Sequence, residues 1–316
     1  MSDAQEFFQK AEPLFQQYAR GDYAGALLVA ETLAGQYPGQ AIHTCLWRIC
    51  LTSRLGRTEE ALRLLSEALS SRHWWSESQL LQEPDLEPLQ GLPEFEALVA
   101  TNRALYTAAQ ATTGPELHVL APVAPHSAPF PLLLALHGRG HSDAEVKSSH
   151  WEGAQKLGWM VALPRSSQLS WSGAYGWDDP EKAEHEILAH YEKICAQFPI
   201  KEGHFVMAGF SQGASIAIHL VLQGKLPARG FIAVAPGVIA VEGLAGWAEA
   251  ARESGIRGVL VVGGKDRRNE AFRQVKEVLE AHKVPLQFVE YPELGHDFPH
   301  DFEEVLARAL KFLIEE

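Results

Sequence analysis

His204 to Gly224 reads HFVMAGFSQGASIAIHLVLQG, and this stretch decides the fold. Its opening, HFVMA, is an apolar run of strand length. Gly209-Phe210-Ser211-Gln212-Gly213 follows, and ASIAIHLVL then continues as an apolar helix. Gly-x-Ser-x-Gly alone is a common pattern, but between a strand and a helix it is far more specific. There the serine sits on a sharp turn, and bulkier residues than glycine would collide where strand and helix almost touch. The helix start after Ser211 offers free N–H groups and positive potential to a developing oxyanion. Ser211 is therefore the candidate nucleophile, and the N–H of Gln212 a candidate oxyanion donor.

Outward from this stretch, short β-rich runs alternate with helical ones. The strand candidates are residues 117–122, 131–138, 159–165, 204–210, 230–236, 258–264 and 286–291. Several are continuously apolar, as expected of strands covered by helices on both faces. The helical stretches between them include AEVKSSHWEGAQKL, PEKAEHEILAHYEKICAQF, FRQVKEVLEAHK and the final FEEVLARALKFLIEE. This alternation predicts an α/β domain with a mostly parallel sheet and right-handed crossovers, its reactive groups at the carboxyl ends of the strands.

Three further positions fit that geometry. His296, in YPELGHDFP, follows the last strand candidate, and a base with a near-neutral pKa belongs there. Asp266, in VVGGKD, follows the preceding strand and is placed to orient an imidazole. Asp297 and Glu293 lie too close to His296 in sequence to do so from another strand. In LHGRG, Leu136 to Gly140, two glycines let the backbone turn its N–H groups toward a substrate, with that of Arg139 the candidate donor. His137 is read as ordering this loop on the substrate side. The Arg139 side chain is open to two readings, a partner for a substrate carboxylate or a solvated charge. The loop SSQLSWSGAYGWDDP (166–180) carries Trp171, Tyr175 and Trp177, which either line an apolar pocket or anchor the loop to the core.

With LHGRG, GFSQGA, VVGGKD and YPELGHDF, residues 115–316 resemble the α/β-hydrolase superfamily. More narrowly they look like its carboxylesterase/phospholipase branch, which includes the acyl-protein thioesterases. The resemblance implies Ser211 as nucleophile, Asp266 as acid, His296 as base, and the Arg139 and Gln212 backbone as oxyanion hole. It implies cleavage of carboxylic esters through an acyl-enzyme, with thioesterase or peptidase activity as alternatives on the same residues. The chain departs from the branch at Arg139, where an apolar residue is usual, and across 166–180.

The first 110 residues differ in texture. ARGDYAGALLVAETL (19–33) is echoed by RLGRTEEALRLLSEAL (54–69), with Gly21 aligned to Gly56 and Ala26 to Ala61, a period of 35. This reads as two antiparallel helix pairs and resembles the tetratricopeptide repeat. A connector rich in Pro and acidic residues follows, and the domain cut is placed so that 1–110 is helical and 111–316 catalytic. A homo-oligomer contact, or a protein partner in an adapter role, is expected through the helical domain.

Composition bounds the rest. Lys and Arg number 27 against 40 Asp and Glu, a net charge of −13, which lacks the basic footprint of nucleic-acid binding. Cys45, Cys50 and Cys195 are too few for a disulfide framework and read as free thiols. The opening MSDAQEFFQK has no leader-like pattern, and the most apolar window, 230–250, is interrupted by Pro236 and Glu242. A cytoplasmic protein without a membrane span is expected. No Gly-rich phosphate loop and no third ligand beside His137 and His141 appear, so neither cofactor nor metal is expected.

Overall fold

The computed structural model describes residues 3–123, 127–147, 150–239 and 243–315. Packing divides the chain into two units. One comprises residues 1–113 together with 169–173, and the other 114–168 and 174–316.

The first unit is helical. α1 (Asp3–Ala19), α2 (Tyr23–Gln36), α3 (Ala41–Arg54) and α4 (Thr58–Ser70) are followed by the short α5 (Glu77–Leu81) and by α6 (Pro93–Gln110). The 35-residue repeat is visible atom for atom in the two turns. Gly21 N–H donates to Tyr18 O and Gly56 N–H to Ser53 O, both at 2.9 Å. Asp22 N–H donates to Gln17 O at 2.9 Å and Arg57 N–H to Thr52 O at 3.1 Å. Gly21 and Gly56 both take positive φ, 77° and 72°, which glycine adopts without steric cost. Ala26 and Ala61, one helical turn further on, are fully buried, so small side chains set the close approach of each helix.

Residues 169–173 pack with this unit. Trp171 bridges to Trp75, Ser76 N–H donates to Ser170 O at 3.1 Å, and Ser172 N–H donates to Trp74 O at 2.9 Å. Asn102 of α6 supports the same place, accepting from Trp75 N–H at 3.0 Å and donating to Trp75 O at 2.8 Å.

The second unit is built on a seven-stranded sheet. Its strands are β1 (Glu116–Leu120), β2 (Phe130–Leu136), β3 (Met160–Arg165), β6 (Ile200–Phe210), β7 (Gly230–Val234), β8 (Arg257–Gly263) and β9 (Leu286–Tyr291). The short β4 (Gln168–Trp171) and β5 (Ala174–Gly176) lie outside it. The sheet order is β1-β3-β2-β6-β7-β8-β9, with β1 antiparallel to β3 and the remaining neighbours parallel.

Alternation along the strands sorts the side chains to two faces. Leu132, Leu134 and Leu136 of β2 join the core under α8 (Pro180–Gln197), α9 (Gln212–Leu222), α10 (Leu244–Glu253) and α11 (Asn269–Ala281). Leu133 and Ala135 join the core under α7 (Asp143–Lys147) and α12 (Phe302–Ile314). All seven predicted strands are the strands of this sheet. The stretch 144–157, expected as one helix, is instead α7 followed by a 3₁₀ segment from His150 to Leu157. α10 had no counterpart in the sequence reading, although its buried Leu244, Ala248 and Ala251 fall at helical spacing. No helix among the described residues is long and apolar enough to cross a membrane.

The two repeat glycines provide a test of the helical unit. A Cβ at Gly21 or Gly56 would meet nothing within 4 Å, so alanine there adds backbone strain and no clash. Gly21→Ala and Gly56→Ala should each destabilise the unit by about 1–2 kcal/mol, and asparagine should cost less than alanine. Thermal melts of the four variants measure this, and equal stability of alanine and glycine forms would contradict it.

Candidate active site

β6 ends at Phe210 and α9 begins at Gln212, leaving one residue, Ser211, to reverse the chain. Its backbone is at φ 52° and ψ −119°, a region a side chain occupies only when its surroundings hold it there. The holding groups are backbone. Ser211 N–H donates to Val234 O at 3.0 Å, and Ser211 O accepts from Ala214 N–H at 3.0 Å and Gly237 N–H at 2.9 Å. A Cβ on Gly209 would sit 2.4 Å from Gly213 C, and one on Gly213 would sit 2.5 Å from His137 O. Neither position has room for any side chain, which is the physical content of the Gly-x-Ser-x-Gly spacing.

His296 and Asp266 arrive from neighbouring strand ends. β8 finishes at Gly263, and Asp266 lies three residues on, its side chain only 1% exposed. β9 finishes at Tyr291, and the segment carrying His296 crosses so tightly that a Cβ on Gly263 would be 2.1 Å from Gly295 O. The result is a hydrogen-bonded chain. His296 Nδ1 lies 2.5 Å from Asp266 Oδ2, and His296 Nε2 lies 2.8 Å from Ser211 Oγ. With Nδ1 donating to the carboxylate, Nε2 is the acceptor for the serine hydroxyl. Asp266 Oδ1 is occupied by the Arg268 N–H at 3.0 Å, which fixes the carboxylate plane. Arg268 Nη1 stands 3.3 Å from His296 Nδ1, a neighbouring cation that the sequence reading did not identify.

The LHGRG loop follows β2 on the other side of Ser211. Arg139 lies in a turn closed by His141 N–H on Gly138 O at 3.4 Å. Gln212 is the first residue of α9, where a helix has no intrahelical partner for its N–H. The side chains of both residues converge on one carboxylate, that of Asp178. Arg139 pairs with Asp178 at 3.0 Å, and Gln212 Nε2 donates to Asp178 Oδ1 at 2.8 Å.

The residues expected to face substrate divide. His137 is 6% exposed, and both its nitrogens are used: Nδ1 donates to Gly138 O at 2.8 Å, and Nε2 accepts from Ser166 N–H at 3.2 Å. Trp177 is 2% exposed, stacks near His137 with centroids 4.7 Å apart, and donates from Nε1 to His137 O at 3.0 Å. These two are buried supports of the loop, because their polar atoms are spent on backbone. Tyr175 is half-buried, with the Arg165 guanidinium 4.4 Å over its ring and its backbone paired to His141. Trp171 lies in the helical unit, edge-on to His43 at 5.6 Å.

Other rings stand beside the serine. Phe210 lies 5.2 Å from His296 and stacks on Phe298 at 4.8 Å and on His141 at 5.7 Å. Phe210 was visible inside the motif, but Phe298 carried no signal in sequence. Behind the loop, the buried Glu186 of α8 accepts from Ser167 N–H at 3.1 Å and from the Ser167 hydroxyl.

For metal binding, the His137 and His141 rings stack at 6.2 Å instead of converging on a point. Cys50, Glu83 and Asp85 have donors within 4.8 Å of one another in the helical unit. There Asp85 already accepts from Tyr18 Oη at 2.8 Å and pairs with Arg54 at 3.3 Å. Burial raises the Cys50 thiol well above its ordinary pKa, which disfavours a thiolate ligand.

Residues 24–110 match the family model of the A/B hydrolase-like N-terminal domain. No curated protein matches the chain. Among solved structures, an uncharacterized protein from Bacillus cereus ATCC 10987 is 26% identical over 97% of this chain and 98% of its own, with a TM-score of 0.56. An S-formylglutathione hydrolase from Staphylococcus aureus is 15% identical over 64% of this chain and 93% of its own, with a TM-score of 0.50. Esterase PE8 is 17% identical over 62% and 97%, with a TM-score of 0.51. The last two share the fold of the second unit.

Burial pushes the His137 pKa from 6.5 down to about 3, so the ring is neutral in the native state. An unfolded chain takes up that proton near pH 6.5. Stability from the neutral ring is therefore complete above about pH 6.5 and is lost as pH falls toward 3. In His137→Gln, stability should depend less steeply on pH across this window by about one proton. Urea titrations from pH 7 to 4 measure the slope, and identical slopes in the two proteins would refute the assignment.

The chain thus carries an α/β-hydrolase fold in its second unit, and residues 24–110 of its helical region match the A/B hydrolase-like N-terminal domain.

Proposed function

We propose that the protein is a serine hydrolase that cleaves carboxylic esters through an acyl-enzyme on Ser211. The observation that carries this reading is the chain Asp266–His296–Ser211, at 2.5 and 2.8 Å, ending on a serine of strained backbone at the carboxyl edge of a parallel sheet. The esterase and S-formylglutathione hydrolase with the same fold agree with it, and the matched N-terminal family is named for hydrolase-like proteins.

In this reading His296 Nε2 takes the Ser211 hydroxyl proton as Oγ attacks the ester carbonyl. The new C–O bond turns the carbonyl into a tetrahedral oxyanion, which faces the N–H groups of Gln212 and Arg139. Asp266 holds the imidazole in its tautomer and stabilises the imidazolium without taking its proton. The imidazolium then protonates the departing alkoxide as the C–O bond to it breaks, leaving the acyl group on Oγ. A water, deprotonated by His296, attacks the acyl carbonyl, and return of the proton to Ser211 releases the acid. Phe210 and Phe298 supply an apolar wall beside His296, suited to an acyl or alcohol group of low polarity.

Ser211→Ala should lower hydrolysis of p-nitrophenyl acetate at least about 1,000-fold and abolish labelling by a fluorophosphonate. Labelling that persists in the variant would sink the assignment of Ser211. A series of p-nitrophenyl esters from acetate to octanoate, beside a matched thioester and an aminoacyl amide, reads substrate preference. Faster turnover of the thioester or amide would replace esterase by thioesterase or peptidase on the same residues.

A further inference from the structure

Resting on the hydrolytic reading above, we infer that Asp178 is a positioning residue: its carboxylate ties Arg139 to Gln212 and thereby sets the separation of the two oxyanion donors. The donors come from unrelated places, a loop after β2 and the first residue of α9. The sheet ladder pairs β2 with β6 as far as Leu136 and Gly209, and Gly213 packs against His137 O, but Arg139 and Gln212 each lie three residues beyond that last pair.

Gln212 is held at both ends of its carboxamide. Its Oε1 accepts from Trp177 N–H at 2.8 Å, and its Nε2 donates to Asp178 Oδ1 at 2.8 Å. On the other side, Asp178 Oδ2 accepts from Arg139 Nη2 at 3.2 Å and Nε at 3.3 Å. Trp177 Nε1 donates to His137 O at 3.0 Å, two residues before Arg139. Two adjacent residues, 177 and 178, therefore grip both walls of the proposed oxyanion hole.

The grip is itself anchored. Asp179 N–H donates to Gln168 Oε1 at 2.7 Å, and Gln168 Nε2 donates to Asp179 O at 3.1 Å. The Asp179 carboxylate caps α8, accepting from Glu181 N–H and Lys182 N–H, each at 3.1 Å.

The chemistry requires a carboxylate. Asp178 accepts on both oxygens: the Gln212 amide at 2.8 Å and Arg139 Nε at 3.0 Å meet on Oδ1, and Arg139 Nη2 reaches Oδ2 at 3.2 Å. An asparagine there offers one acceptor and sets its own NH₂ against a donor. The Arg139 and Asp178 side chains are 42% and 43% exposed, so their pairing adds little to stability in water. Its effect falls on geometry, where small misplacement of a donor weakens the transition state more than the ground state.

The experiment uses the full chain and p-nitrophenyl acetate. Asp178→Ala should lower kcat about 10-fold with KM within about twofold, and Asp178→Asn should lie between it and the parent. Inhibition by an alkyl trifluoromethyl ketone, which forms the tetrahedral oxyanion on the serine, should weaken by the same factor as kcat/KM. A merely structural role would not make those two quantities fall together. If Asp178→Ala fails to fold, the isosteric Asp178→Asn carries the measurement. Parental kcat in the variants, or a change confined to KM, overturns the positioning role. A parent chain with neither turnover nor fluorophosphonate labelling overturns the hydrolytic reading instead, and this proposal with it.

Discussion

The close approach of β6 and α9 is the constraint on which the geometry of the second unit depends. Two glycines without space for a Cβ bring strand and helix together, and Ser211 takes up the reversal at φ 52°. A residue held there costs of order 1–3 kcal/mol, and the surrounding structure has to over-determine it. The hydrogen bonds from Ser211 to Val234, Ala214 and Gly237 supply that restraint, with Ile218 and Val221 of α9 buried against the sheet. The strain presents Oγ clear of its own backbone, and it points the first N–H groups of the helix into the same space.

Around that serine, tight backbone crossings recur at strand ends. Gly263 yields to the segment carrying His296 as Gly209 yields to the start of α9. Parallel strands end together on one edge of the sheet, so each loop leaving them competes for the same volume. Acidic groups then set the side chains. Asp266 orients His296, Glu186 secures the 166–167 turn behind His137, and Asp178 joins Arg139 to Gln212. Each of these carboxylates accepts at least two hydrogen bonds, and that of Asp178 joins two separate pieces of chain.

Legibility in the sequence followed the range of the interaction that decides each feature. The inner strands were readable because continuous apolar runs report burial on both faces, and the edge strands β1 and β9, only half-buried, from their place in the strand–helix alternation. The repeat turns were readable because Gly21 and Gly56 are required by local φ. Ser211, Asp266 and His296 were readable from their places after strands, and the structure brings the three within hydrogen-bond reach of one another. Trp171, Trp177 and His137 were harder. Their residue types suit a pocket and a core equally, and only the partners of their polar atoms separate the two. The contacts of Asp178 with Gln212, Glu186 with Ser167, Arg268 with His296 and Phe298 with Phe210 carried no local signal, since each joins residues far apart along the chain.

By itself the sequence determined the helical repeat of period 35, the strand–helix alternation and the place of Ser211 between a strand and a helix. Those properties are periodic or local, and a single window of residues contains them. Only the tertiary structure decided which side chains meet Ser211, which aromatic rings stand beside it, and which carboxylate links Arg139 to Gln212. Those depend on the sheet order β2-β6-β7-β8-β9, which brings the loops carrying residues 139, 211, 266 and 296 to one edge, and on the segment between β5 and α8 that carries residue 178 to Arg139 and Gln212. The energy of such contacts appears only once the chain has closed the long loops between them.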